Sequence, residues 1–156
     1  MRRGAHLQVT RRARIWSPPV AELSAWAHAA LGRRARGAEL ALRVVGTTAS
    51  RRLNAHYRGK DAPTNVLSFP AAQVPGATGG SAPRPLGDLV ICARVLKREA
   101  RAQGKSLRAH WAHLVVHGAL HLIGYDHERA RDARRMERRE IAVLRRLGFA
   151  NPYRSV

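Results

Sequence analysis

One short segment, from position 117 to position 127, constrains this chain more than any other. It reads His117-Gly-Ala-Leu-His121-Leu-Ile-Gly124-Tyr-Asp-His127. On a helix, His117 and His121 lie on one face one turn apart, where both imidazoles can reach one metal ion. Gly124 can adopt the left-handed conformation that ends a helix, so the chain can turn back and bring His127 to the same ion.

Three neutral imidazoles are a suitable ligand set for zinc, and a site with three protein ligands keeps a fourth position open for water or substrate. This geometry is typical of a catalytic metal rather than a structural one. As ordinary core residues, three buried and unpaired imidazoles would each carry a desolvation cost. We therefore predict a metal centre with one Zn²⁺ per chain. The apolar residues that flank the histidines are Leu114, Val115, Val116, Leu120, Leu122 and Ile123.

The charge of the chain bears on its partners. The chain has 29 lysines and arginines against 10 acidic residues, which gives a formal net charge of +19. Arginine forks match phosphate groups, so nucleic acid is the favoured partner, ahead of an anionic membrane. A basic surface that only keeps the protein solvated is the simpler alternative.

Three further features favour a cytoplasmic location. No stretch is long and apolar enough to span a membrane. The arginines that follow Met1 have no hydrophobic region behind them, so a secretory signal is not expected. Cys92 is the single cysteine and lies in an apolar run, which fits a reducing compartment.

Periodicity and turn residues predict one domain over residues 1–156, of the α+β class, with about four strands in a mixed sheet and about five helices. The metal site is expected on a helix followed by a turn. The Pro-, Gly- and Ala-rich residues 70–86 are expected to form a mobile loop inside the domain. Strands are expected at 6–10, 39–45, 65–69 and 87–92, and helices at about 18–31, 48–57, 93–103, 107–123 and 128–147.

Residues at the helix ends and on the last helix complete the predicted fold. Ser17, either Thr47 or Thr48, and Ser106 are the expected N-caps, because a side-chain oxygen there can accept a free backbone N–H. The inner face of the last helix is assigned to Met136, Ile141, Leu144 and Leu147. Its arginines are expected on a solvated face where they pair with Glu137 and Glu140, and some of them are expected to contact RNA: Arg131, Arg134, Arg135, Arg138 and Arg139.

The spacing His-x-x-x-His-x-x-Gly-x-x-His matches the metzincin metalloproteases except at one position. Those enzymes carry a glutamate directly after the first histidine as the general base. This chain has Gly118 there. The sequence therefore argues against peptide hydrolysis but retains the geometry of a metal site. A zinc ion bound there can lower the pKa of its bound water to about 7 and polarise a phosphoryl oxygen.

The histidine segment as a whole resembles the signature of the YbeY family, bacterial zinc-dependent endoribonucleases of rRNA maturation. Two other blocks agree with this resemblance: Asn54-Ala-His-Tyr-Arg58 with Thr64-Asn65-Val-Leu-Ser-Phe69, and Pro85-Leu-Gly87-Asp88-Leu-Val-Ile91. An aspartate often stands in the family where this chain has Asn65. The resemblance covers roughly residues 40–153 and includes the closing Leu147-Gly-Phe and Asn151-Pro-Tyr153.

The resemblance implies zinc ligands and a catalytic arginine. His117, His121 and His127 would hold the zinc, and Arg58 would face it across a positively charged cleft. The implied activity is cleavage of single-stranded RNA in the 3′-end maturation of small-subunit rRNA and in ribosome quality control. The implied partners are the ribosomal small subunit and an Era-type GTPase, with no membrane and no small-molecule cofactor. The sequence leaves open whether activated water or the 2′-OH of the RNA attacks.

Two other functions remain as alternatives. A metzincin-like zinc hydrolase or protease would explain the spacing of the histidines, and Gly118 and the positive charge count against it. A non-catalytic RNA-binding protein of the ribosome, with a zinc ion that only holds the fold, would explain the charge equally well.

Several other residues have both a structural and a functional interpretation. His113 and His110 lie one and two turns before His117. They can be core or cap residues, residues that support the site or face RNA, or a fourth metal ligand. Asp126 either stabilises the turn or orients a ligand imidazole. For Asp88, capping of a turn and a role in the site are equally compatible with the sequence. Three residues could touch RNA, although burial is the default for the tyrosine: His56, Tyr57 and Lys60.

Overall fold

The fold is known from a computed structural model, which describes residues 4–71 and 84–154. Within these ranges it contains four strands, five α-helices and a short 3-10 turn, as a single domain. The predicted α+β class and its element counts are confirmed. The elements are β1 (His6–Arg11), α1 (Val20–Leu31), the 3-10 turn (Gly32–Ala35), β2 (Ala38–Val45), α2 (Thr47–Arg58), β3 (Val66–Pro70), β4 (Arg84–Cys92), α3 (Ala93–Gln103), α4 (Leu107–Leu122) and α5 (Ala130–Arg146).

The four strands form one mixed sheet in the order β1-β2-β4-β3. β1 and β2 are parallel, as are β2 and β4, whereas β3 runs antiparallel to β4 at the edge. Parallel neighbours need a crossover connection. Helix α1 lies in the connection from β1 to β2, and α2 lies with β3 in the connection from β2 to β4. The sheet is thus covered by helices on both faces.

Alternation along the strands separates two apolar layers, because successive side chains in a strand point to opposite faces. Leu89 and Ile91 of β4 join the main core with α1, α3, α4 and α5. Val90 between them joins a small cluster on the other face, where Leu53 of α2 covers it. The histidine helix therefore belongs to the main core, and the Arg58 helix covers the opposite face of the sheet.

Helix α4 is the central element of the main core. It packs against α1, α3, α5, β3 and β4. Between residues 110 and 122, every residue is buried except His113, His117 and His121. These three follow one another at intervals of four, so they form the single stripe of this part of the helix that reaches the surface.

Some predicted helix ends are wrong. Ser17 does not cap α1: its hydroxyl accepts a hydrogen bond from the Arg11 guanidinium, and Pro19 takes the cap position. Neither Thr47 nor Thr48 caps α2, because both lie inside the helix and Gly46 precedes it. The Ser106 cap is confirmed, since its hydroxyl accepts the backbone N–H of Ala109 at 3.1 Å.

The predicted loop 70–86 is shorter at both ends than expected. Pro70 ends β3, and residues 84–86 already belong to β4. Residues 72–83 lie outside the described ranges, so the expected mobility of the loop stays a prediction. In the described parts of the chain, no helix has the length and apolar character needed to cross a bilayer.

Gly87 allows β3 and β4 to approach closely beside a bulge in the β2–β4 ladder. The ladder passes from Pro85 to Gly87 opposite consecutive residues of β2, which leaves Leu86 unpaired. Gly87 has φ +139°, and a Cβ at this position would lie 2.2 Å from the carbonyl oxygen of Phe69. No side chain fits there without moving the backbone of β3, which lines the site described below.

We expect Gly87→Ala to lower the free energy of unfolding by roughly 2 kcal/mol or more, since it adds a backbone clash to an unfavourable φ. Chemical denaturation monitored by circular dichroism measures this change. Gly104→Ala is the matched control, because Gly104 also has positive φ but no atom within 4 Å of the added Cβ. Equal losses in the two variants would contradict the clash.

Candidate metal centre and active-site cleft

The structure brings His117, His121 and His127 together. The ring centroids lie 4.7 Å apart for His117 and His121, and 4.8 Å apart for His121 and His127. His121 Nε2 and His127 Nδ1 are 3.0 Å apart. One nitrogen from each of the three rings lies within 4.8 Å of the other two, so the group can hold a metal ion.

The turn after α4 delivers His127 by local backbone chemistry. Gly124 has φ +101°, and its N–H bonds to the carbonyl of His121, while the N–H of Tyr125 reaches back to Leu120. These two bonds are the Schellman pattern of a helix C-terminus. Asp126 then accepts the backbone N–H groups of His127 and Glu128 through Oδ1, at 2.7 and 3.2 Å. Asp126 thus stabilises the turn, and among the described residues no imidazole is hydrogen-bonded to its carboxylate.

The electrostatics keep His121 in the form that binds metals. Burial, followed by the neighbouring His117 and His127, lowers the pKa of His121 to about 4. Its imidazole is therefore neutral near pH 7, with a lone pair free for a cation.

A buried carboxylate supports His117, although the charge pattern of the last helix predicts a solvated position for it. Glu140 of α5 is fully buried. His117 Nδ1 lies 3.1 Å from Glu140 Oε1, and His113 Nε2 lies 3.0 Å from the same oxygen. The Tyr153 hydroxyl donates to the two carboxylate oxygens at 2.8 and 2.7 Å. Because Nδ1 of His117 is engaged with Glu140, its Nε2 is left for the metal site.

The proton positions of this network follow from its pKa shifts. Burial by itself raises the pKa of Glu140, but the hydrogen bonds from His113 and His117 outweigh burial and hold this pKa below its usual range. Burial lowers the pKa of His113, so this imidazole is neutral. Burial and the Glu140 charge raise the pKa of Tyr153, which keeps its proton. Glu140 is therefore an ionised acceptor surrounded by donors.

Glu140 occupies a core position of α5. Met136, Val143 and Leu144 of the same helix are buried beside it, whereas Ile141 is only partly buried. The signal was available in the sequence, because position 140 lies one turn after Met136 and one turn before Leu144. His113, His117 and Glu140 are also close enough to hold an ion by themselves, but their separations are those of ordinary hydrogen bonds.

The histidines open onto a cleft of about 700 Å³, which we call the histidine cleft. Arg58, exposed at the end of α2, lines this cleft together with the three histidines. The predicted site residues are thus brought to one surface. The cleft is lined by Tyr57, Arg58, Asn65, Val66, Leu67, Ser68, Phe69, Pro70, His117, His121, Asp126, His127 and Glu128.

Gly118, where metzincins carry their glutamate, faces the sheet. A Cβ at this position would lie 2.8 Å from Leu89 Cδ2 and 3.4 Å from Ser68 Oγ. The Ser68 hydroxyl also donates to the Gly118 carbonyl at 3.3 Å. A glutamate at position 118 would therefore enter the packed contact between α4 and the sheet, and this counts against the protease alternative.

The remaining candidates are placed as follows. His110 is buried, with Nε2 2.9 Å from a Glu99 oxygen, which is the expected core role. Asp88 is exposed on β4 and does not line the histidine cleft. The expected burial of Tyr57 is wrong: it is 60% exposed and packs edge-on against Phe69 and His56. Lys60 is exposed beyond the end of α2.

Comparison with known proteins identifies the family of this chain. The sequence model of the family described as Endoribonuclease YbeY matches residues 15–148. A protein of that name from Alkalilimnicola ehrlichii is 56% identical over 88% of this chain and 82% of its own length. Proteins of the same name from Stenotrophomonas maltophilia and Methylococcus capsulatus are 53% and 52% identical, over 87% and 89% of this chain and 84% and 89% of their own lengths.

A solved structure shares the fold. The solution structure of TM1509 from Thermotoga maritima superposes with a TM-score of 0.58 and 20% sequence identity, over 95% of this chain and 99% of that one. At this identity the likeness bears on the fold alone. The family match covers most of the chain, including all three histidines and Arg58, and the chain therefore belongs to the YbeY family of endoribonucleases.

Proposed function

We propose that this protein is a zinc-dependent endoribonuclease that cuts single-stranded RNA. The observation that carries the proposal is the convergence of three histidines and an exposed arginine on one open cleft. The name Endoribonuclease YbeY, borne by relatives more than half identical to this chain, supports RNA as the substrate.

The donor set fits zinc. Two nitrogens bound to one tetrahedral zinc lie roughly 3.3 Å apart, given Zn–N distances of about 2.0–2.1 Å. His121 Nε2 and His127 Nδ1 are 3.0 Å apart, which is close to that separation, so both nitrogens can reach one ion. When bound by the three histidines, zinc would supply a Lewis acid for a phosphoryl oxygen and would acidify a water molecule.

Arg58 is the residue proposed to stabilise the reacting phosphate. Cleavage of a phosphodiester places additional negative charge on the oxygens around phosphorus. A guanidinium can donate two parallel hydrogen bonds to such oxygens, and this stabilisation is strongest for the charge that develops in the transition state. Arg58 is exposed and lies in the cleft wall, where it is free to reach a bound phosphate.

Tyr57 supports a preference for single strands. Its ring is exposed in the cleft and is held edge-on by Phe69, with centroids 4.9 Å apart. An unpaired base can stack on such a ring, whereas a base inside a duplex cannot.

Glu140 is proposed as a positioning residue for His117. By accepting the Nδ1–H, it fixes the tautomer that leaves Nε2 as the ligand, and it orients the ring. Tyr153 holds Glu140 in turn through its hydroxyl. The C-terminal segment thereby contributes to the metal site without contacting the ion.

The proposed setting is the cytoplasm, where the enzyme would act in the 3′-end maturation of small-subunit rRNA and in ribosome quality control. The ribosomal small subunit and an Era-type GTPase are the proposed partners. This part rests on the family resemblance and on the net charge of +19, which favours a polyanionic substrate.

We expect Arg58→Ala to lower kcat/KM for a single-stranded RNA substrate about 10²- to 10³-fold, the loss typical of removing one donor to a developing anion. The zinc content should remain that of the wild type, because Arg58 is not a ligand. Cleavage of an end-labelled RNA, measured beside zinc content, tests both statements.

Arg52→Ala is the matched control for this experiment. Arg52 is also exposed on α2 but does not line the histidine cleft. The same charge is removed in both variants, so a general effect of charge on RNA binding would appear equally in both. Equal activity of the two variants would exclude the role proposed for Arg58.

We expect Glu140→Gln to weaken zinc binding about 10- to 100-fold, as is typical when the partner of a ligand imidazole is changed. Competition with a chromophoric chelator measures the zinc affinity, and circular dichroism checks that the fold is retained. The reason is that an amide cannot accept hydrogen bonds at both of its terminal atoms, so it competes for the donors of this network.

Glu137→Gln is the control, since Glu137 is exposed on the same helix. If Glu140→Gln does not fold, Tyr153→Phe removes one donor to Glu140 at little change in volume, and it should weaken zinc binding by a smaller factor. Wild-type zinc affinity in folded protein of both Glu140→Gln and Tyr153→Phe would refute the positioning role.

A further inference from the structure

A second concave surface adjoins the histidine cleft. It is a groove of about 530 Å³ between the 3-10 turn, the turn after α4, and α5. Four arginines line it, and we call it the arginine groove: Arg33, Arg34, Arg135 and Arg139. Two of them come from the 3-10 turn and two from α5, so the groove exists only in the folded chain.

The arginine groove and the histidine cleft share a wall. Asp126, the residue before His127, lines both of them. Gly124 and Tyr125 of the same turn line the arginine groove. The two surfaces therefore meet at Asp126.

Contacts with this turn hold two of the guanidinium groups in place. Arg34 donates to the carbonyl oxygen of Ile123 at 2.6 Å. The Arg135 guanidinium lies over the Tyr125 ring, 5.5 Å from its centroid. Both arginines are exposed, so the remaining donors of each fork face solvent. Ordering before binding reduces the entropy lost when a phosphate binds.

The charge of the groove is not neutralised internally. Asp126 and Asp132 also line it, but among the described residues neither forms an ion pair with any of the four arginines. The Asp126 carboxylate is occupied by backbone N–H groups of the turn. Four guanidinium groups against two carboxylates leave an excess of cationic donors that suits a row of phosphates.

The close approach of α5 to the 3-10 turn brings the fourth arginine into the groove. A Cβ at Gly32 would lie 3.5 Å from a terminal nitrogen of Arg139. Gly32 has φ +57°, so this backbone favours glycine. The turn thus presents a bare backbone surface over which the Arg139 side chain lies.

We propose that the arginine groove binds the backbone phosphates of the RNA segment on one side of the scissile bond. The inference rests on the proposed function, which supplies single-stranded RNA as the ligand of the adjoining cleft. It adds a site that extends the contact with the substrate beyond the reacting phosphate. Phosphate contacts of this kind fix the position of the strand and carry no base preference.

The test compares the binding of long and short RNA. Fluorescence anisotropy measures the affinity of the zinc-loaded protein for a 2′-O-methyl RNA of about twelve nucleotides and for one of about three, which is too short to fill both surfaces. The groove variant carries Arg33→Gln and Arg139→Gln. It leaves Arg34 and Arg135, which contact the turn after α4, unchanged. The control is Arg94→Gln with Arg98→Gln, exposed residues of α3 that line neither surface.

We expect the groove variant to bind the long RNA at least about tenfold more weakly than the control does, and the short RNA equally well. The slope of log K against log salt concentration should fall in magnitude by about 1.4 for the long RNA, since each lost phosphate contact on a single strand contributes about 0.7. Equal affinity of the groove variant and the control for the long RNA would overturn the inference. Unchanged RNA binding is also the result expected if the groove binds an acidic protein instead of RNA.

RNA cleavage is measured separately, so the two proposals can fail independently. Wild-type cleavage of RNA, with long-RNA affinity that does not depend on the groove, would overturn the groove and leave the nuclease. Groove-dependent binding of RNA without cleavage by the zinc-loaded wild type would support the groove and overturn the nuclease.

Discussion

The hydrogen bonds around the Glu140 carboxylate connect the parts of this molecule that make up its site. A charge buried in a protein core is expensive unless donors surround it. Here His113, His117 and Tyr153 surround the carboxylate, and they come from α4 and from the C-terminal segment. The arrangement fixes α5 against α4 in one register and orients an imidazole of the metal centre at the same time. Core packing and site geometry therefore depend on the same few atoms.

The metal centre could be predicted from the sequence because its geometry is local. His117 and His121 are related by helical periodicity, and Gly124 permits the turn that returns His127. The Ser106 cap and the four strands follow from similarly local rules. The three histidines needed no knowledge of the tertiary fold to be grouped, and the structure places them together.

The features that were missed depend on tertiary contacts. The arginines before Glu140 favour a surface position for it, although its place between Met136 and Leu144 marks the buried stripe of α5. Tyr57 was expected to be buried, yet it lies exposed where α2 ends beside β3. Neither Ser17 nor the threonines of α2 cap a helix. Residue types that can cap are frequent in any sequence, so the type alone does not show where a helix begins. Arg33 and Arg139 are far apart in sequence, so their common groove could not be foreseen.

Gly87 and Gly118 illustrate how packing restricts chemistry in this fold. Gly87 lets β3 and β4 approach each other closely, and Gly118 lets the histidine helix lie against the sheet. Gly118 stands where a metzincin carries the glutamate that acts as its general base. The helix retains the metal-binding spacing, and its neighbouring face is used for packing.

Metal content is the decisive measurement for an open metal site made by three histidines. The protein is purified without added metal or chelator, beside His121→Ala, and zinc is quantified by mass spectrometry. We expect one zinc ion per wild-type chain and its loss from a variant that remains folded, because a site with three ligands cannot spare one of them. Wild-type protein without bound zinc, or folded His121→Ala with an undiminished zinc content, would contradict it.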